Sequence, residues 1–117
     1  MEDLKDIVKK YYIAVDKNDL DTLFSIFADN IVYKRPGYEP IEGMANFKEF
    51  YQKNRIIKEG HHTLSNIIAS DPYVIVEGEF NGILKDGSKS HTTFVDVYTF
   101  SSGKAIKRHT YFDGQSV

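Results

Sequence analysis

The feature that most narrows the folds open to this chain is a change of hydrophobic period near His61. Before it, apolar residues recur every three or four positions. After it come four β-rich runs separated by short turn signals. Leu4, Ile7, Val8, Tyr11 and Val15 make one helical stripe, with Asp3 placed as its N-cap. Lys17-Asn18-Asp19 breaks the stripe, and Asp19 caps a second short helix expected to bury Leu20, Leu23, Phe24 and Phe27. Ala28-Asp29-Asn30 ends that helix, and Ile31-Val32-Tyr33 reads as a brief strand. Pro36, Gly37 and Pro40 mark an irregular loop. A third helix is expected over about Gly43 to Gln52, burying Met44, Phe47, Phe50 and Tyr51.

The strand-rich half divides at its turns. Thr63 to Ala69 stops at Ser70-Asp71-Pro72, and Tyr73 to Leu84 stops at Lys85-Asp86-Gly87-Ser88. Asp-Gly between two such runs is a strong hairpin signal. Ser90 to Phe100 is closed by Ser101-Ser102-Gly103-Lys104, and Ala105 to Phe112 is last. Sequential strands with short connections predict an antiparallel meander, and helices first with sheet second means α+β. Ser102-Gly103-Lys104 is a hairpin turn, since a phosphate loop needs an upstream glycine and a following helix.

Composition removes several functions. The 117 residues suffice for one domain. Fifteen Lys and Arg against seventeen Asp and Glu argue against a nucleic-acid binder working through a broad basic surface. No apolar run approaches the ~20 residues that span a membrane. The acidic start, Met1-Glu2-Asp3-Leu4-Lys5-Asp6, is not a secretory signal, so the cytoplasm is the expected compartment. Without Cys there is no thiolate chemistry. His61 and His62 are neighbours that point to opposite faces of a strand, and His91 and His109 lack an i, i+4 partner, so no metal site is expected. No cofactor motif is present. Eight Phe and eight Tyr, with no Trp, are a large aromatic content for so small a core.

Strand parity singles out one acid. Phe94, Asp96, Tyr98 and Phe100 share a face, so Asp96 sits among aromatics, while Thr93, Val95, Val97 and Thr99 share the other. A carboxylate there must be paired or hydrogen-bonded, or its pKa rises. In the last run Ile106, Arg108, Thr110 and Phe112 share a face, leaving Lys107, His109 and Tyr111 opposite. Arg108 is then either a pocket cation or the ion-pair partner of Asp96. Glu77 and Glu79 share a face that is solvated under simple alternation and cavity-facing if the register turns them inward.

The order of elements resembles the nuclear transport factor 2-like superfamily, in its SnoaL-like and ketosteroid-isomerase-like branch. The resemblance rests on Tyr11 with Val15-Asp16-Lys17-Asn18-Asp19-Leu20, Phe27-Ala28-Asp29-Asn30, Pro40-Ile41-Glu42-Gly43 and Phe47 to Tyr51. Val76-Glu77-Gly78, Asp86-Gly87, Asp96-Val97-Tyr98-Thr99-Phe100, Gly103-Lys104 and Tyr111-Phe112-Asp113 agree. It covers nearly the whole chain, read as a single domain over residues 1–117. It implies a cystatin-like cone, a barrel-like curved antiparallel sheet wrapped around three N-terminal helices, with a ligand cavity between them. It also implies that Tyr11 and Asp96 are the pair that donates hydrogen bonds to a developing enolate oxygen. The isomerase's loop acid is absent, because Lys34, or Arg35 with one residue of slip, stands in its place. The Arg that an epoxide hydrolase carries two residues before the strand Asp is Phe94 here. Where a polyketide cyclase uses an inward acid or His near the last strand, this chain has Arg108 with His109 beside it.

Two readings follow. The first is an isomerase-, cyclase- or hydratase-type enzyme acting by acid–base chemistry on a small carbonyl or aromatic compound. Asp96 and Tyr11 would be catalytic, Lys34, Arg35 or Arg108 would anchor an anion, and Phe94, Tyr98 and Phe112 would line the pocket. His62 would form a wall beside Leu64 and Asn66. The second is a non-catalytic ligand-binding or dimerisation domain in which Asp96 only pairs with Arg108 or Tyr11. Either way the expected partners are a small molecule and a second copy of the chain, bound through the outer sheet face near Val95 and Val97. A raised Asp96 pKa would favour the first reading, and a depressed one the second.

Overall fold

The computed structural model describes residues 3–114 and 117; Met1 and Glu2 of the acidic start lie outside the described residues. Helix α1 (Leu4–Asp16) starts where the Asp3 carboxylate accepts the Lys5 N–H at 2.9 Å. Helix α2 (Leu20–Ser25) starts where Asp19 accepts from the Thr22 N–H at 3.4 Å. Both caps stand where the residue types put them. The second helix stops short of its expected end, because Phe27 opens strand β1 (Phe27–Lys34) instead. The Ala105 N–H donates to the Ile26 carbonyl at 3.0 Å, so a partner far along the chain captures this segment. Strand β2 (Ile41–Glu42) follows the Pro/Gly loop. The single third helix expected divides into α3 (Met44–Glu49) and a π-helical turn, Phe50–Asn54.

The remaining strands are β3 (Ile57–Ser70), β4 (Tyr73–Leu84), β5 (Lys89–Ser101) and β6 (Lys104–Gly114). They form one open, curved sheet in the order β2-β1-β6-β5-β4-β3. From β3 to β6 it is the antiparallel meander expected. The β1–β6 pair is parallel, so the sheet is mixed and not wholly antiparallel. A parallel pair needs a long crossover, which the intervening helices and meander supply.

Curvature has local causes. Gly60 faces Gly82 across β3 and β4, and the Phe80 ring lies over both. A Cβ at Gly60 would sit 2.2 Å from that ring, and one at Gly82 would sit 2.6 Å from the Glu59 carbonyl oxygen. Bulges between Leu64 and Asn66 and between Thr99 and Phe100 add bend. The helices fill the hollow. Tyr12 and Ala14 are as buried as Tyr11 and Val15, because α1 packs against α2, β3 and β4 together. Among the described residues, no helix is long and apolar enough to cross a membrane.

Candidate functional site

The parity of β5 holds throughout. Phe94, Asp96, Tyr98 and Phe100 are buried, and Asp96 is 1% exposed. Oδ2 of Asp96 accepts from the Tyr12 hydroxyl at 2.5 Å and from Nη2 of Arg108 at 3.0 Å, and Oδ1 accepts from the Thr110 hydroxyl. Burial pushes its pKa up, but the Arg108 charge and the bonds from Thr110, Tyr12 and Arg108 outweigh that. The carboxyl is thereby held below its ordinary value. Asp96 is an ionised, fully partnered anion.

The helix hydroxyl on Asp96 therefore belongs to Tyr12 and not to Tyr11. Tyr98 donates to the Tyr12 hydroxyl at 2.9 Å, extending the chain of bonds. Tyr11 lies one layer away, 2.5 Å from the Tyr51 hydroxyl, and Nη1 of Arg108 donates to both, at 2.7 and 2.9 Å. Burial raises the Tyr11 pKa well above that of a free phenol against the opposing pull of Arg108, so the group is a proton donor at neutral pH. Arg108 is thus both of the things its position allowed, partner of Asp96 and lining of the cavity.

His62 sits at the wall of the same cavity, between the rings of Tyr12, Phe80 and Phe94 at centroid distances of 5.3, 5.0 and 5.5 Å. Its Nδ1 is 2.6 Å from Oδ1 of Asp16, and Oδ2 of Asp16 accepts the His62 backbone N–H at 2.9 Å. Asp16 is the last residue of α1, so the helix end fixes the ring. Burial lowers the His62 pKa further than the Asp16 bond raises it, and the nearby Arg55 charge lowers it again. The imidazole is neutral at neutral pH, with its Nδ1 proton on Asp16 and Nε2 left as the basic nitrogen. Among the described residues no protein group bonds that nitrogen. Beyond His62 the bulge at Ser65 sends Asn66 to the outer face, where it bonds Glu77 at 3.1 Å, while Leu64 packs partly into the core.

Arg35 follows β1 into the interior, where Nη1 donates to the Tyr33 hydroxyl at 3.0 Å and Nη2 to the main-chain oxygen of Val117, the last residue. Lys34 faces outward beside His109 and is exposed, so it is not among the residues that line the cavity. Phe94 and Phe112 line it, whereas Tyr98 stands behind Tyr12. Glu77 and Glu79 take the outer face, Glu79 with His91 at 2.8 Å. Among the described residues no three acidic or His side chains converge as a metal site.

The space enclosed by these groups is about 20 Å³, room for one water. Three residues that sequence reasoning did not bring to the site are Asp16, Tyr12 and Arg55. Asp16 and His62 carry no spacing signal, since a helix end and a strand meet only in the fold.

The chain matches the SnoaL-like domain family over residues 8–109, and it belongs to that family. No curated protein sequence matches it. Among solved structures it is similar to an NTF2-like protein of unknown function from Burkholderia pseudomallei. That pair shows 21% identity, covers 97% of this chain and 92% of the other, and has a TM-score of 0.87. It is also similar to an LEH-like epoxide hydrolase from M. tuberculosis, at 20% identity, 92% and 80% coverage and a TM-score of 0.80. A protein with a ketosteroid isomerase-like fold from Catenulispora acidiphila, in complex with trimethylamine, gives 16%, 95% and 88%, and 0.81. These likenesses establish the fold.

Proposed function

We propose that this protein is an enzyme of the isomerase, cyclase or hydratase type in which His62 is the general base, acting on a small carbonyl or aromatic compound. The observation that carries the reading is the 2.6 Å contact between His62 Nδ1 and Asp16 at the cavity wall. A neutral imidazole whose Nδ1 proton is held by a carboxylate offers a base matched to neutral pH. Nε2 would take a proton from carbon next to a carbonyl, and Asp16 would stabilise the imidazolium that forms. Tyr11, with Arg108 behind its oxygen, supports the role of donor to the enolate oxygen. Asp96, held ionised, anchors Arg108 and is not the acid. The solved relatives named above include an epoxide hydrolase and a trimethylamine complex, which supports a ligand-taking cavity. A guest larger than water needs Val117 and the side chains at the mouth to yield.

The test is exchange of carbon-bound hydrogen into D2O, followed by proton NMR, for acetophenone, 2-indanone and phenylpyruvate. The wild-type chain is expected to accelerate exchange of at least one, and His62→Gln to return it to background, a loss of roughly 10²–10⁴-fold. Equal rates in His62→Gln, or no acceleration of any of the three, would contradict the proposal.

The second reading, a ligand-binding or dimerising domain without turnover, is the one that the lowered Asp96 pKa favours. The closed Asp96–Arg108–Tyr12 network and the small free space are what a structural core requires. The same exchange measurement separates the two. In either case we propose a homodimer through the outer sheet face.

A further inference from the structure

Asp16 touches two histidines. Its Oδ1 lies 2.6 Å from Nδ1 of His62, and its Oδ2 lies 3.5 Å from Nδ1 of His61. Neighbouring residues of a strand point to opposite faces, so one carboxylate reaches both rings only from the open side of the strand. β3 ends the sheet, and among the described residues its outer edge pairs with no other strand. An edge strand leaves alternate N–H groups without a ladder partner, and Asp16 accepts the one at His62. The last residue of α1 thus stands at the rim of the sheet, between its inner and outer faces. Exposure rises along the same line. The side chain of His62 is 10% exposed, that of Asp16 16% and that of His61 75%. The three groups make a graded path from the cavity wall to solvent.

We propose that Asp16 and His61 are a proton relay that joins the buried His62 ring to solvent. As Nε2 of His62 gains a proton, the Nδ1–H bond breaks and that proton passes to Oδ1 of Asp16. The carboxyl group then turns about its Cβ–Cγ bond and hands the proton to the free Nδ1 of His61. His61 releases its Nε2 proton to water, so one proton enters the path, one leaves it, and Asp16 returns to its carboxylate. The same steps in reverse restore the Nδ1 proton of His62. Such a path has a physical use here. Burial, and with it the Arg55 charge, makes an imidazolium at His62 costly against the pull of Asp16. Imidazole is also the side chain suited to taking up and releasing protons near neutral pH. His61 acts through Asp16 and does not line the cavity, so its part is to reset the base. The inference rests on the reading of His62 as that base and adds the route by which it exchanges protons with solvent.

The experiment follows the Nδ1 proton of His62 in the whole chain by proton and nitrogen-15 NMR, with its exchange read by saturation transfer from water. His61→Gln changes an exposed side chain, and an unchanged amide spectrum shows that the fold is kept. The variant is expected to slow exchange of the His62 Nδ1 proton at least about tenfold. Free imidazole added to the solution is expected to restore the rate in His61→Gln in proportion to its concentration, and to change the wild-type rate far less. A histidine that only supports the structure is not replaced by imidazole in solution, so the rescue separates the two roles. Equal exchange in wild type and His61→Gln would overturn the inference, because Asp16 would then hand the proton straight to water. Slowed exchange without rescue, or a wild-type ring with no Nδ1 proton, would overturn it as well. The measurement needs no turnover and is independent of the ketone test. A chain that exchanges no ketone but shows slowed, rescued Nδ1 exchange has the relay and lacks the base activity. A chain that exchanges ketones with Nδ1 exchange unaltered in His61→Gln has the base and lacks the relay.

Discussion

Oδ1 of Asp16 lies 2.6 Å from Nδ1 of His62, joining the last turn of the first helix to the third strand. A carboxylate that also accepts the His62 backbone N–H leaves the ring no other orientation. The fold thus presents one imidazole nitrogen to an aromatic cavity and occupies the other. This pair carries the proposed chemistry, while Asp96 and Arg108 hold the layer beneath it.

Because the His62 pKa is lowered by folding, the unfolded chain binds a proton that the folded chain refuses. The contribution is fully present above the unfolded value of ~6.5 and is lost as the pH falls from there toward the folded pKa. Urea unfolding at a series of pH values is expected to show stability falling with acidification in that window, and His62→Gln to flatten the slope. An identical slope in the variant would contradict this.

Replacing Asp96 by Asn leaves Arg108 buried with no charge partner. The expected loss is about 3–5 kcal/mol in denaturant unfolding, with the companion change Arg108→Met restoring part of it. A loss below about 0.5 kcal/mol would mean that the pair is not closed as described.

Gly82→Ala places a methyl group against Phe80 and the Glu59 carbonyl. A cost of about 1–3 kcal/mol is expected from the forced shift of backbone and ring, measured by thermal or urea unfolding. A neutral result would show that Phe80 does not lie across the glycine pair.

On the outer sheet face Ile68, Ile75 and Val97 stand side by side across β3, β4 and β5, and Tyr111 of β6 is 51% exposed. An apolar row of that kind supports the homodimer proposed. Sedimentation is expected to show a dimer for the wild-type chain and a monomer for Ile75→Lys with unchanged circular dichroism. A wild-type monomer at micromolar concentration would contradict it.

Much of this was legible from residue order. Alternation along β5 placed Asp96 inside, and alternation along β6 placed Arg108 on the matching face. Their pairing needed only the meander's register. The choice between Tyr11 and Tyr12 was not legible. A helix inside a cone is buried over a wide arc, and one stripe cannot say which neighbour meets the acid. Lys34 and Arg35 follow one another where β1 ends, and only the path of the chain into the Pro36 turn decides that Arg35 enters and Lys34 stays out. Phe27 suited a helix by period but was taken into β1 by a parallel partner that no local signal announces. The bulge at Ser65 is likewise invisible to alternation, and it moved Asn66 away from His62.

The proposed chemistry requires His62 to present an unprotonated Nε2 while its Nδ1 proton rests on Asp16. Nitrogen-15 NMR of the imidazole near neutral pH measures this directly. A neutral ring in the Nδ1–H tautomer is expected, shifted toward an even mixture of tautomers in Asp16→Asn. A charged ring, or an Nε2–H tautomer in the wild-type chain, would contradict it.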